Sequence, residues 1–336
     1  MLEELGISVL IAFLITLIVG NYLRKILVSA SITAIDRNKK EAPTLPASGG
    51  LVLLVGLTVG ISAFIFESSI VKNDVNLINL ALFLAAASIA TFVGFLDDVV
   101  TNRIRNLKRK ISKQYLNGGL SQKEKPIWSI IAIIPILAMS VPPAGTLFGI
   151  NIKLPLYIFV ILEGLTLLFT TNAVNMLEGL NGLALQTSGV AILFLVIYSI
   201  ITNNPTAYVT GILIIATIAG YLYYGVYPAK ILPGDSLTYL LGISLGTMIF
   251  LSRGYTLGLI LLIPWIIEFI LKARARFHAH SFGIIQKDGT LKSFYGNKIY
   301  SLTHIFYQGK FKEWQITGLI TLIEILLGLI GILLSV

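Results

Sequence analysis

Two adjacent carboxylates, Asp97 and Asp98, follow a long apolar stretch and are the first residues whose type suggests chemistry. Like charges this close repel, and a helix C-terminus favours cations over anions. A cation is therefore expected beside them: a divalent metal, a lysine or Mg²⁺ bound to a polyphosphate. Successive side chains on a helix point about 100° apart, so we expect the two to have different tasks. Two solvated loop aspartates are the alternative.

Another apolar stretch ends with three polar residues spaced three positions apart, Asn172, Asn175 and Glu178. On a continuing helix they share one broad face. An asparagine oxygen is an acceptable ligand for Mg²⁺. Hydrogen bonding between membrane helices is the competing explanation.

A third polar segment contains Lys230 and, a few residues later, Gly234-Asp235-Ser236 at the start of an apolar stretch. Asp235 could bind Mg²⁺ at a membrane surface, with Lys230 close enough to contact phosphate. The alternative is that this tripeptide only caps the helix that it begins.

Basic residues and two histidines occupy the last long polar segment, where Arg276, His278 and His280 could bind phosphate oxygens. Basic loops are common beside membranes, so this segment alone indicates little. Taken together, the four segments indicate a site that binds Mg²⁺ and phosphate at a membrane interface. Phosphoryl transfer needs this combination, because its catalysis is mostly positioning and charge stabilisation.

The elements that position these residues are apolar segments of membrane-spanning length. Hydrophobic residues make up 56% of the 336-residue chain and charged residues only 12%, about half the share of a soluble domain. We predict an all-α polytopic membrane protein, a single unit over 1–336, with about ten transmembrane helices. The predicted spans are 5–23, 47–66, 78–96, 127–143, 154–171, 183–202, 206–225, 236–251, 255–271 and 314–335.

The distribution of Lys and Arg predicts the orientation. With both termini outside, 22 of the 25 basic residues fall in cytoplasmic loops, as the positive-inside rule requires. The net charge of +9 then marks these loops, and we expect no nucleic-acid partner. The chain has no cysteine, which excludes disulfides and thiolate metal sites. Asp288-Gly289, between alternating residues, predicts a small β-hairpin near 282–294 in the last cytoplasmic loop.

In four places the chain resembles the polyprenyl-phosphate N-acetylhexosamine-1-phosphate transferases, which move a sugar 1-phosphate from a UDP-sugar to a lipid phosphate. The resemblance runs from about residue 36 to 312. The segments are Asp97-Asp98, 172–182, 228–236 and His278-Ala279-His280. The archaeal and eukaryotic UDP-GlcNAc–dolichyl-phosphate branch is the most similar, since the bacterial phospho-MurNAc-pentapeptide enzymes carry consecutive histidines instead. Ala47 replaces a glutamate of that branch.

This resemblance implies attack by the lipid phosphate on the β-phosphorus of UDP-GlcNAc, with release of UMP. It implies Mg²⁺, for which Mn²⁺ could substitute, held by Asp235 and Asn175. The catalytic residues expected from it are Asp97, Asp98, Lys230, His278 and His280. The expected substrate contacts are Asn172, Glu178, Lys39, Arg276 and Asn181, the last of these toward uracil.

The expected partners are UDP-GlcNAc, a polyprenyl or dolichyl phosphate, the bilayer and a second copy in a homodimer. The expected location is the cell membrane, or the endoplasmic reticulum in a eukaryote, with the site facing the cytoplasm. Alternatives are another sugar-1-phosphate transferase of the same family, a transporter and a non-catalytic lipid scaffold. A transporter places its site near the bilayer midplane, whereas these polar segments lie at one face. Glu163 and Glu324, inside apolar segments, are interpreted as hydrogen-bonding between helices.

Overall fold

Eleven α-helices and three small antiparallel sheets make up the computed structural model, which describes residues 2–71, 74–111, 124–139 and 145–336. The helices are α1 (Leu2–Ser29), α2 (Gly50–Ile70), α3 (Leu77–Ile111), α4 (Glu124–Leu137), α5 (Leu156–Leu177), α6 (Leu183–Ile201), α7 (Pro205–Gly225), α8 (Gly234–Ser252), α9 (Tyr255–Leu261), α10 (Ile263–Arg274) and α11 (Glu313–Ser335). The strands are β1 (Thr33–Ile35), β2 (Thr44–Pro46), β3 (Gly145–Leu147), β4 (Ile150–Ile152), β5 (Ile284–Ile285), β6 (Thr290–Lys292) and β7 (Gln308–Lys312).

Eight of these helices are long and apolar enough to cross a membrane, and each coincides with a predicted span. The predicted class, a polytopic helical membrane protein, is thereby confirmed. The predicted span 255–271 is broken into α9 and α10, which are bent by 47°. Pro264, near the start of α10, lacks an N–H and favours such a break.

The predicted span 127–143 is shorter in the structure, where α4 has 14 residues. Residues 140–143 of that prediction lie outside the described residues. The turn predicted between α6 and α7 is confirmed. Asn204 caps α7 by accepting a hydrogen bond from the Ala207 N–H, and Pro205 is the first helical residue.

Helix α8 lies at the centre of the bundle and packs against α2, α3, α5, α6 and α7. Almost all of its residues are buried. Helices α1 and α11 instead expose rows of large apolar side chains, such as Leu10, Ile18, Leu326 and Leu333. These surfaces suit contact with lipid.

The two intramembrane glutamates are both buried. Neither oxygen of Glu324 has a hydrogen-bond partner within the described residues, so its interpretation as an interhelical hydrogen bonder is wrong. Glu163 lines a cavity of about 270 Å³.

The predicted hairpin near 282–294 is confirmed as β5 and β6, and β7 adds a third strand that the sequence did not suggest. The Asp288 carboxylate accepts hydrogen bonds from the Thr290 N–H and hydroxyl at 3.0 and 2.7 Å, and Gly289 has a φ of +87°. A second hairpin, β1 with β2, lies between α1 and α2.

Candidate active site

Asp98 caps the first turn of α8 from a different helix. One carboxylate oxygen accepts the Asp235 N–H at 2.8 Å, and the other accepts the Ser236 N–H at 3.3 Å and the Ser48 hydroxyl at 2.8 Å. The free N–H groups of a helix start favour an anion. Gly-Asp-Ser therefore does not cap its own helix, because α3 supplies the cap.

Asp235, freed from capping, faces the end of α5. The Asn175 amide donates to the Asp235 carboxylate at 2.8 Å and to the Thr238 hydroxyl at 2.9 Å. The two residues predicted to hold Mg²⁺ are thus in direct contact, although they lie 60 positions apart.

Lys125, near the start of α4, is the cation expected beside the aspartates. Its ammonium group lies 3.1 Å from the Asp97 carboxylate and forms a second ion pair with Asp235. The three side chains are mostly buried, so the lysine compensates two carboxylates that would otherwise repel each other. Asp97 and Asp98 have different partners, as the 100° rotation predicted.

This arrangement fits a cation supplied with a substrate. A lysine ammonium already lies between two carboxylates, and Asn175 adds a neutral amide beside them. In the part of the chain that the structure describes, no three His, Cys, Asp or Glu side chains form a closed metal site. Mg²⁺ in phosphate-transferring sites commonly takes one or two protein carboxylates and completes its shell with phosphates and water.

A second polar cluster surrounds Asn181. Its side-chain amide donates to Asp36 at 3.0 Å, and its N–H donates to Glu313 at 2.7 Å. Lys39 lies 3.3 Å from Asp36, pairs with Glu313 and lies over the Tyr227 ring. Lys39 and Asn181, both predicted to contact substrate, are thus brought together by the first loop and the start of α11.

Glu178 and Asn172 lie on either side of the Asn175 position. The Glu178 carboxylate accepts the Ala184 N–H at 2.9 Å, so it caps the first turn of α6. Burial, together with the negative charge of Glu313, raises the pKa of Glu178 to about 8. The Asn172 amide donates to the Leu168 carbonyl at 2.8 Å and to the Ser129 hydroxyl at 3.4 Å. The second contact joins α5 to α4, as the hydrogen-bonding alternative anticipates.

The last loop is fastened to the end of α5. The Ser281 hydroxyl donates to the Met176 carbonyl at 3.1 Å. Asn38 bridges two segments, since its amide donates to the Gly179 carbonyl at 2.7 Å and its oxygen accepts the Gly283 N–H at 3.2 Å. These bonds place the histidine segment at the same end of the bundle as Asn175.

His278, His280 and Arg276 all expose their side chains at this end. Partial burial, with the positive charges of Arg37 and Lys272, lowers the pKa of His280. The surroundings of His280 therefore carry the positive potential that an anion requires. Lys230 instead lies over the Tyr223 ring, 3.1 Å from its centroid. No contact joins it to the carboxylates within the described residues.

Four residues of this region were missed by sequence reasoning as site residues: Lys125, Asp36, Asn38 and Glu313. In the sequence, Lys125 is one of many basic residues assigned to the cytoplasmic side. A signal did exist, because Lys125 and Glu313 directly precede apolar spans, where an ionisable side chain reaches the ends of neighbouring helices. Asp36 and Asn38 carry no comparable signal, since short polar loops are rich in such residues.

The cavity that contains Glu163 is separate from these clusters. It is also lined by Thr247 and Arg253, at the opposite end of α8 from Asp235. Glu163 precedes Asn175 by twelve residues on α5, or about 18 Å along a helix. The candidate active site is therefore the carboxylate–lysine–amide cluster and not this cavity.

Fold and site together define a multi-pass membrane protein with a buried carboxylate–lysine–amide cluster at one end of its helix bundle. The chain belongs to glycosyl transferase family 4, whose model matches residues 80–253. That range contains Asp97, Asp98, Lys125, Asn175 and Asp235 but not the histidines. The chain is therefore a sugar-phosphate transferase by family.

Three relatives illustrate the range of similarity. A protein of Sulfolobus acidocaldarius, provisionally named UDP-N-acetylglucosamine–dolichyl-phosphate N-acetylglucosaminephosphotransferase, is 30% identical over 97% of this chain and 94% of its own length. A protein of Saccharolobus solfataricus with the same provisional name is 31% identical over 98% of this chain and 96% of its own length. The phospho-N-acetylmuramoyl-pentapeptide-transferase of Staphylococcus carnosus is 27% identical over 97% of this chain and 98% of its own length.

Proposed function

We propose that this protein transfers GlcNAc-1-phosphate from UDP-GlcNAc to dolichyl phosphate or a related polyprenyl phosphate. The names of the two archaeal relatives support the substrates. The observation that carries the proposal is the convergence of Asp97, Lys125, Asn175 and Asp235 from four helices at one end of the bundle. A diphosphate with its cation needs such a set of groups.

In the proposed reaction, an oxygen of the lipid phosphate attacks the β-phosphorus of the UDP-sugar. The bond from that phosphorus to the bridging oxygen breaks, and UMP leaves with the oxygen. A phosphate monoester is already nucleophilic near neutral pH, so the protein needs to supply no general base. Its contribution is positioning and stabilisation of charge.

The residues divide this work. Asp235 and Asn175, with Asp97 beside them, would hold Mg²⁺, which supplies neutralisation of the diphosphate charge. Lys125 could release one carboxylate and turn to a phosphate oxygen. His280 lies where the positive surroundings favour an anion. Asn181 and Lys39 remain proposed contacts of the nucleotide, with Arg276 and His278 on the exposed rim.

The location of the cluster suits an acceptor that is itself a lipid. The cluster lies at the end of long apolar helices, where a phosphate head group reaches the membrane surface while its polyprenyl chain stays among the helices. We propose that this end faces the cytoplasm, because the basic first and last loops lie there.

The deciding experiment is UMP release by the purified protein with Mg²⁺, dolichyl phosphate and a panel of UDP-sugars. We expect UDP-GlcNAc to support turnover and UDP-MurNAc-pentapeptide to support little. Preferred use of the pentapeptide substrate would assign the chain to the other branch. Failure of every UDP-sugar would refute the proposed function.

Asp235→Asn tests the proposed metal site within that assay. The substitution keeps a partner for Asn175 but removes the charge that pairs with Lys125. We expect turnover to fall by about 10²-fold or more, and chelation of Mg²⁺ to abolish it. Asp288→Asn, the same change on the exposed hairpin, is the matched control. Unchanged turnover in Asp235→Asn would contradict the assignment.

A further inference from the structure

The backbone around His280 is held by aromatic side chains from much later in the same loop. The His280 N–H donates to the Tyr295 hydroxyl at 3.0 Å, and the His280 carbonyl accepts from Nε2 of His304 at 2.9 Å. The Tyr307 hydroxyl donates to the next carbonyl, that of Ser281, at 2.6 Å. We name Tyr295, His304 and Tyr307 the loop clamp.

The side chains of the loop clamp pack against one another. The His304 ring is buried and stacks on Tyr295, with centroids 5.3 Å apart, and it also contacts Tyr307. The bonds of His304 fix its tautomer, because Nδ1 accepts the Tyr300 N–H at 3.2 Å while Nε2 must carry the proton that it donates. Both ring nitrogens are therefore committed.

Helix α10 anchors both sides of this arrangement. Glu268 accepts the Leu302 N–H at 2.6 Å and the Ser301 hydroxyl at 3.0 Å, just before His304. Lys272, one turn later, donates to the Ala279 carbonyl at 2.8 Å and to the Ser281 hydroxyl at 2.7 Å. The peptide groups flanking His280 are thus fixed to α10 as well as to the loop clamp.

The two exposed histidines of this loop differ in how their backbone groups are hydrogen-bonded. The His280 side chain is exposed, and an exposed loop residue ordinarily leaves its backbone groups to water. Here both groups bond to protein side chains, whereas the His278 N–H makes only a local turn bond to Ala275. The loop clamp therefore fixes the backbone that carries the His280 imidazole, whereas no side chain among the described residues holds the backbone of His278 in this way.

We infer that His304 is a positioning residue that, with Tyr295, holds the His280 imidazole toward the phosphates of the nucleotide substrate. The inference rests on the proposed function for the identity of that substrate, and it assigns the work to His280 rather than His278. Such positioning matters because a displacement of about 1 Å can cost about 10²-fold in rate.

Two substitutions of His304 separate positioning from general stability. His304→Gln places an amide N–H where Nε2 was and keeps the bond to His280. His304→Asn places an amide near Nδ1 and keeps only the bond to Tyr300. Each variant loses one hydrogen bond. We expect turnover of His304→Asn to fall about tenfold or more, which is as large a loss as we expect for His280→Ala. Turnover of His304→Gln should stay within about threefold of wild type.

A double-mutant cycle completes the kinetic test. Because His304 acts through His280, His304→Asn should cause no further loss in the His280→Ala background. Tyr295→Phe, which keeps the stacked ring and loses the acceptor hydroxyl, should lower turnover in the same direction. Equal effects of Asn and Gln, or a full additional loss in the His280→Ala background, would overturn the inference.

A measurement without substrate distinguishes this inference from the proposed function. The chain has only three histidines, so selective ¹³C labelling of the histidine rings gives three assignable signals. His304→Asn should shift or broaden the His280 signal and leave that of His278 in place, whereas His304→Gln should preserve both. An unmoved His280 signal in His304→Asn would refute the positioning role even if the protein transfers a different sugar phosphate.

Discussion

Lys125 determines how the three aspartates of the site can coexist. Its ammonium group pairs with Asp97 and Asp235, while Asp98 bonds to the start of α8. Breaking a buried ion pair by removing one partner costs about 3–5 kcal/mol, so neither carboxylate can do without a cation. In the proposed reaction, the Mg²⁺ of the nucleotide substrate would take the place of this ammonium group beside the carboxylates.

Glu178 gives a pH-dependent prediction at the same scale. Because the pKa of Glu178 is raised from 4.5 to about 8 in the folded protein, the folded state binds the proton more tightly than the unfolded chain. Its contribution to stability is therefore present below about pH 4.5 and is lost as the pH rises through about 8. As the pH rises from about 4.5 to about 8, we expect the thermal unfolding temperature of Glu178→Gln to fall less than that of wild type.

Thermal unfolding in detergent across pH 5 to 9 measures this effect. Glu41→Gln, which changes an exposed carboxylate in the first loop, is the matched control. Parallel pH curves for wild type and Glu178→Gln would contradict the prediction.

At the scale of elements, the contact between α3 and α8 depends on glycine. Gly234 has a φ of +65°, and a β-carbon there would lie 2.3 Å from the Asp98 carboxylate. A β-carbon on Gly94 would lie 2.4 Å from the Asp235 backbone. The helices approach closely enough for Asp98 to reach the N–H groups of α8 because neither position carries a side chain.

Gly234→Ala should therefore both destabilise the protein and lower its turnover. The strained backbone and the clash with Asp98 should cost more than about 1 kcal/mol in unfolding free energy. Gly318→Ala is the matched control, since no atom lies within 4 Å of a β-carbon there. Replacing a helical glycine in open space should stabilise by about 0.5–1 kcal/mol.

Thermal unfolding and UMP release measure the two variants side by side. If Gly234→Ala matched Gly318→Ala in both, the proposed dependence of the site on this helix contact would be incorrect.

For the molecule as a whole, the start of α1 and the end of α11 lie at the end of the bundle opposite the site. Ser8 of α1 donates to Glu67, near the far end of α2, while α2 begins at Gly50 beside Ser236. Helix α11 begins at Glu313, beside Asn181, and runs away from it. This geometry places the ends of α1 and α11 and the candidate site on opposite sides of the membrane, so labelling of either side determines the orientation of both.

The absence of native cysteine makes the orientation directly testable. Asn297→Cys lies on the last loop at the site end, and Asn151→Cys lies on the hairpin at the other end; both positions are exposed. In intact cells a membrane-impermeant maleimide should label Asn151→Cys and not Asn297→Cys, because basic loops are retained inside. The reverse labelling pattern would invert the orientation.

Local features of the amino-acid sequence predict the class of protein and the elements that carry the site. Apolar length specifies a membrane helix because the bilayer core has a fixed thickness, so eight predicted spans coincide with single helices. Turn chemistry at Asn204-Pro205 and Asp288-Gly289 is equally local, and both turns are confirmed. The pairing of Asn175 with Asp235 was expected from the family resemblance, since both residues lie at helix ends in its motifs.

The partner of each polar group, in contrast, depends on packing between segments that are distant in sequence. Asp98 caps α8, Lys125 joins Asp97 to Asp235, and His304 holds the His280 backbone. A helix cap or an ion pair between distant segments depends on distances of a few ångströms, which spacing along one helix does not encode. The break between α9 and α10 was not predicted either, although Pro264 lies beside it, because a proline in an apolar segment can also be accommodated by a continuous span. Hydrophobic patterning places each helix in the membrane, but packing sets the rotation and depth that bring specific atoms together.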